Sequence, residues 1–217
     1  MGCAFVRLDR RRLLALVLAA AATPLACDAA LADDTPAARA EAVVGELAGE
    51  VWGLFRSGDL DPRTRLDRLT GILQSKTDVA LLSRLVLGQH WQRLTEPQQA
   101  RYRELFGQVV LRNLAKRLDQ YASDATGPLE QHFRMTGSQP VGKQDVLVRS
   151  EVTTPAGDTV GVDWRLRNAE ERPVIIDLII EGISLLVSQR SEFAAVIERS
   201  DMEGLLAELQ ALATSES

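Results

Sequence analysis

Cysteine is nearly absent from this 217-residue chain, which has only Cys3 and Cys27, both close to its start. Whatever folds after Cys27 must therefore be held by an apolar core and not by a disulfide framework. Histidine is equally scarce: His90 and His132 stand far apart, with no cysteine or tight acidic cluster beside either, so zinc-ligand spacing is missing. There is no glycine-rich phosphate loop, and Ser184 lacks the glycine two residues on that a nucleophile elbow requires. Positive charge is not in excess either. With 25 basic and 30 acidic residues the chain carries a net charge of −5, which argues against nucleic acid and against a purely electrostatic hold on anionic headgroups. Long apolar runs are also missing. The stretch Leu13 to Ala22 is about half of the ~20 residues that a bilayer span needs.

That short run has a different meaning in context. Arg7 and Arg10 to Arg12 precede it, and the small-residue site Ala30-Leu31-Ala32 follows it, the layout of a cleaved secretory signal over residues 1–32 with Asp33 as the mature N-terminus. Arg10-Arg11-Arg12-Leu13-Leu14 approximates a twin-arginine signal, the alternative to the general secretory route. Leu25-Ala26-Cys27 looks like an acylation site, but Pro24 occupies the position where that motif wants leucine. Loss of residues 1–32 removes both cysteines, four arginines and two aspartates, so the net charge moves from −5 to −7. The remainder is sized for one domain, expected over 33–212 with a frayed tail at 213–217.

Periodicity divides this domain into helices, then strands, then helices. Val43, Leu47, Val51, Leu54 and Phe55 recur at helical spacing from Pro36. Asp61-Pro62 and Asp78 open two shorter helices, and Thr95-Glu96-Pro97-Gln98 reads as a capping box for a long one running through Tyr102, Phe106 and Val109 toward Tyr121. After a break at Ser123 to Pro128 the period changes to two. Val146, Val148, Ser150 and Val152 alternate with Leu147, Arg149, Glu151 and Thr153, as do Val160, Val162, Trp164 and Leu166 with Gly161, Asp163, Arg165 and Arg167. With a first strand near His132 to Gly137 and a last one ending at Glu181, the pattern predicts an antiparallel meander of about four strands. Phe193, Val196 and Ile197, then Met202, Leu205, Leu206, Leu209 and Leu212, mark two closing helices. The fold class is α+β.

The strand from Val174 to Ile180 is apolar on both faces, interrupted by Asp177 and followed by Glu181. Two readings stay open for its second face: helices wrap it, or the sheet curls around an apolar cavity. Asp177 is expected to pair with Arg165 or Arg190, and Glu181 to lie at a solvated strand end; an exported enzyme would have only Asp177 and His90 as acid and base.

Several blocks together carry a family resemblance. Leu87-Gly88 followed by Trp91, the segment Thr95 to Phe106, the strand Ile175 to Glu181, Gly182-Ile183-Ser184, and Arg190 with Phe193 resemble the MlaC-like, or toluene-tolerance, family of periplasmic phospholipid carriers, over about Asp59 to Leu209. Pro173 stands where an aromatic residue often precedes the last strand, and Ser188-Gln189 replaces a frequent Asn-Tyr. The resemblance implies a twisted antiparallel sheet and helices around an apolar pocket, with no enzymatic activity and no cofactor beyond bound phospholipid as cargo. It also implies a monomer that shuttles lipid between an inner-membrane ABC transporter complex and an outer-membrane lipoprotein complex, contributing to outer-membrane lipid asymmetry. A hopanoid or another lipid is the alternative cargo; the rival class is an exported α+β enzyme using Asp177 and His90, and a structural adaptor is a further rival. On core-facing stripes, Phe106, Val109, Val148, Val162, Trp164, Ile176, Leu178, Ile180 and Phe193 are the candidate chain-contacting residues, with plain core packing as the competing role for each.

Overall fold

The structure, a computed structural model, describes residues 35–58, 60–122, 126–154, 156–169 and 172–215. The expected signal segment and mature N-terminus lie outside the described residues. The first helix, α1 (Pro36–Arg56), starts where the Thr35 hydroxyl accepts the Ala38 N–H at 3.1 Å and Pro36 supplies a pre-set φ. Asp61 caps α2 (Pro62–Ser75) through the N–H groups of Arg63 and Thr64, both at 3.1 Å, and Asp78 caps α3 (Val79–Leu87) through Leu81 N–H at 2.9 Å. A two-turn 3₁₀ segment, Gly88–Arg93, leads to α4 (Glu96–Ala122), where Thr95 N–H donates to Gln98 Oε1 at 3.0 Å as the capping box predicts.

Strands β1 (Phe133–Val141), β2 (Asp145–Thr153), β3 (Thr159–Arg167) and β4 (Val174–Ile180) form the expected meander. The first strand runs four residues beyond Gly137, and Pro140 is tolerated there because β1 is an edge strand. The sheet gains a fifth strand, β5 (Ile183–Ser184), which pairs back on Ile179 and Ile180. The turn between them is built by Glu181 at φ 49° and Gly182 at φ 78°, a left-handed pair suited to a two-residue hairpin. The sheet is open, with order β1-β2-β3-β4-β5. At the open end of the hairpin, Asp145 is buried and takes the guanidinium groups of Arg165 and Arg167, each at 2.6 Å, tying the start of β2 to the end of β3. Burial opposes ionisation of this carboxyl, but the hydrogen bonds and charges of Arg167 and Arg165 outweigh it and hold the group below its ordinary value.

The last helix, α5 (Leu185–Ser215), breaks at Asp201, where φ reaches 56°, and so supplies the two closing arms read from the sequence. Asp201 recaps the second arm by accepting the N–H groups of Glu203 (2.8 Å) and Gly204 (3.1 Å). A side chain at Gly204 would come within 2.4 Å of Ser200 Cβ, so the return requires glycine.

Core packing is divided among three groups. Ala40, Val43 and Val44 of α1 cover Val146, Val148 and Leu166 of the sheet. Leu47 and Leu54 of α1 pack with Leu69 and Leu73 of α2 and Ala115 of α4. Val86, Tyr102, Phe106, Val109, Phe193 and Leu206 join α3, α4 and α5.

Candidate functional site

Between β4, α3, α4 and both arms of α5 lies a cavity of about 420 Å³, a volume within the range of small-molecule sites. Its inner wall is buried and apolar: Val86, Phe106, Val109, Ile176, Phe193, Leu205 and Leu209 are all less than a tenth exposed. Its outer rim is polar, formed by the half-buried Asn113 and exposed Arg117 of α4 and by the half-buried Gln189 and exposed Glu192 and Glu208 of α5, beside the exposed Leu212. Helical spacing explains this gradient. Phe106, Val110, Asn113 and Arg117 form one stripe of α4, and Phe193, Val196, Leu205, Leu209 and Leu212 line the arms of α5.

The wall is rigidly joined to the sheet. Asp177, 7 % exposed, accepts the Ser184 hydroxyl at 2.6 Å and the Leu186 N–H at 2.9 Å, while Ser184 Oγ accepts the Val187 N–H at 3.0 Å. The two side chains together cap the start of α5. The pairing expected from sequence does not occur: Arg165 is held by Asp145, and Arg190 donates through Nε and Nη2 to Leu85 O at 3.1 and 2.6 Å. Arg190 thus closes the C-terminus of α3, beside Gly88 at φ 54°, whose added Cβ would meet Arg190 Nε at 3.6 Å. Glu181 is exposed at the strand end, and its carboxylate accepts the Gly161 N–H.

Five of the nine candidate residues line the cavity and four lie elsewhere. Phe106, Val109, Ile176, Leu178 and Phe193 line the cavity. Val148 lies under α1, and Val162 and Ile180 face each other across β3 and β4 away from the cavity lining. Trp164 packs against the α1 and α2 groups, its indole N–H donating to Ser150 Oγ at 2.9 Å. Reading the stripes alone left out Val86, Leu205, Leu209 and the polar rim. The 3–4 spacing of the second α5 arm was the available signal for the leucines. Behind the wall, Tyr102 packs edge-on to Phe193 with centroids 6.2 Å apart, and its burial pushes the phenol upward.

As for the acid–base pair, Asp177 lines the cavity and His90, on the 3₁₀ turn, does not. His132 stacks on Trp52 at 4.7 Å, with Nε2 2.6 Å from Thr126 O. Among the described residues no three His, Cys, Asp or Glu groups are gathered as metal ligands, and no helix is long and apolar enough to cross a membrane.

Comparison with known proteins agrees with this geometry. A family model described as "MlaC protein" matches residues 50–211. The fold is shared with a phospholipid-binding protein from Ralstonia solanacearum solved in complex with a phospholipid: the TM-score is 0.64 at 21% identity, covering 83% of this chain and 97% of that one.

Proposed function

This chain belongs to the MlaC protein family, and on that premise we propose that it is a phospholipid carrier whose acyl chains occupy the cavity between β4, α4 and α5. The observation that carries the reading is the cavity itself, apolar inside and polar at the rim, on a fold shared with a protein solved holding a phospholipid. It works in the periplasm as a monomer, shuttling lipid between an inner-membrane ABC transporter complex and an outer-membrane lipoprotein complex, and so contributes to outer-membrane lipid asymmetry.

The energetics make such a carrier necessary. Exposing a two-chain lipid of roughly 30 methylenes to water costs on the order of 24 kcal/mol, at about 0.8 kcal/mol per methylene. Unaided passage through an aqueous compartment is negligible against that barrier. A cavity that buries the chains offsets most of the cost, and unloading then needs a partner with a different affinity for the loaded and empty states. No bond is made or broken, so the role asks nothing of Asp177 beyond its capping contacts.

Mass spectrometry of organic extracts from freshly purified protein tests the reading. The expected result is glycerophospholipid near one molecule per chain. Extracts free of lipid would overturn it, and a polycyclic terpenoid in place of phospholipid would keep a carrier but change its cargo.

A further inference from the structure

One end of the cavity is aromatic. Phe106 of α4 and Phe193 of α5 both line it, and both pack on Tyr102, whose ring centroid is 5.6 Å from Phe106 and 6.2 Å from Phe193. Tyr102 stands one helical turn before Phe106 on the same face of α4, is fully buried, and does not line the cavity. Trp91 backs it in turn, edge-on at 6.4 Å, and the Arg84 guanidinium covers Trp91 at 5.9 Å. These rings make a braced floor. Among the described residues the Tyr102 hydroxyl has no hydrogen-bond partner, so what this side chain contributes is the packing of its ring.

Along α4 the cavity runs from this floor to the exposed Arg117, eleven residues beyond Phe106, a rise of about 16 Å at ~1.5 Å per residue. That matches the acyl depth of one leaflet, about 15 Å or half of a ~30 Å hydrocarbon core. A chain entering at the level of Arg117 therefore meets the rings where an ordinary membrane chain ends. While a chain still fits, each methylene that leaves the bilayer regains in the apolar cavity what it gave up, so its length is neutral. Past the floor nothing is regained.

We infer that Phe106 and Phe193, braced by Tyr102, set an upper limit on acyl length, so that the carrier takes lipids with chains of ordinary membrane length and discriminates against longer ones whatever their headgroup. The inference rests on the carrier reading and adds to it the chain-length class of the cargo.

The test incubates delipidated protein to equilibrium with vesicles holding equal amounts of dimyristoleoyl, dipalmitoleoyl, dioleoyl, dieicosenoyl and dierucoyl phosphatidylcholine, a series in which the chains lengthen stepwise under one headgroup. Lipids extracted from the re-isolated protein are counted by mass spectrometry. Wild type should load the first three alike and the last two about three- to tenfold less, since their extra methylenes find no apolar room. Phe106→Ala frees the turn between Phe106 and Tyr102, ~5.4 Å of added depth, and should bring dieicosenoyl lipid level with dioleoyl. Phe106→Leu, which disturbs the core less, should raise it part of the way. Val110→Ala widens the same stripe one turn nearer Arg117 and should leave the break in the series where it was, as should Tyr102→Phe, which keeps the ring. Equal loading of all five lipids by wild type would overturn the proposal. So would a break unmoved in folded Phe106→Ala and Phe106→Leu, or one that moves as far in Val110→Ala; in each case the carrier stands. No uptake of any lipid would overturn the carrier reading and this inference with it.

Discussion

Asp177 is where residue-scale chemistry departs most from the pattern of its strand. An acidic residue in an apolar run suggested an ion pair with Arg165 or Arg190. The carboxylate instead serves two donors seven and nine residues along the chain but adjacent in space, the Ser184 hydroxyl and the Leu186 N–H. The reason is the hairpin at Glu181-Gly182, which folds β5 and the first turn of α5 back over β4. An amide oxygen can satisfy only part of this arrangement, so Asp177→Asn should lower stability by about 1–3 kcal/mol in urea unfolding while the folded variant still carries lipid. Lipid loss at unchanged stability would give Asp177 a direct part in holding cargo. Gly88 belongs at this scale too. Its φ of 54° is one that other residues rarely adopt, and Gly88→Ala should cost about 1–3 kcal/mol by the same measurement. A variant as stable as wild type would show that the end of α3 is free to rearrange.

At the scale of elements, the helical and strand periods identified every long segment, because each buries one face against a neighbour. The same periods could not say what that neighbour is. Val148 and Leu178 stand opposite Trp164 on one sheet face, yet Val148 meets α1 and Leu178 meets the cavity. Core and cavity walls demand the same apolar alternation, so the division between them follows from where α1 and α5 dock, which no single strand encodes. Val148→Ala should accordingly cost about 1–3 kcal/mol of stability and leave bound lipid unchanged. The tie between β2 and β3 makes a prediction in pH. Asp145 is held below its ordinary value of 3.8 in the folded state, so its contribution is full above that value and is lost as pH falls through the lower, folded one. Acid unfolding followed from pH 6 to pH 2 should show a steep loss below about pH 4 that is shallower in Asp145→Asn. Equal slopes in the two proteins would mean that the arginine pair adds nothing to acid stability.

For the whole molecule, the family blocks turn out to be joints of the cavity frame. Leu87-Gly88 and Arg190 join α3 to α5, and Gly182-Ile183-Ser184 joins β4 to α5. These were legible because each joint needs a particular residue type: a glycine at positive φ, a hydroxyl at a cap, a guanidinium on a helix end. The polar rim was not legible, because Arg117 and Glu192 look like any solvated helix face until α4 and α5 are set beside each other. The central claim is that the space between these helices and β4 holds acyl chains. Its most direct measurement is the lipid-to-protein ratio, by mass spectrometry of organic extracts, in Leu178→Lys and in the cavity-filling Val109→Trp, each confirmed as folded by cooperative thermal unfolding. A lysine beside the chains would be desolvated by them, and an indole would take their place. The account predicts that both variants lose most of their lipid while Val148→Ala keeps it; a wild-type ratio in folded Leu178→Lys and Val109→Trp would contradict it.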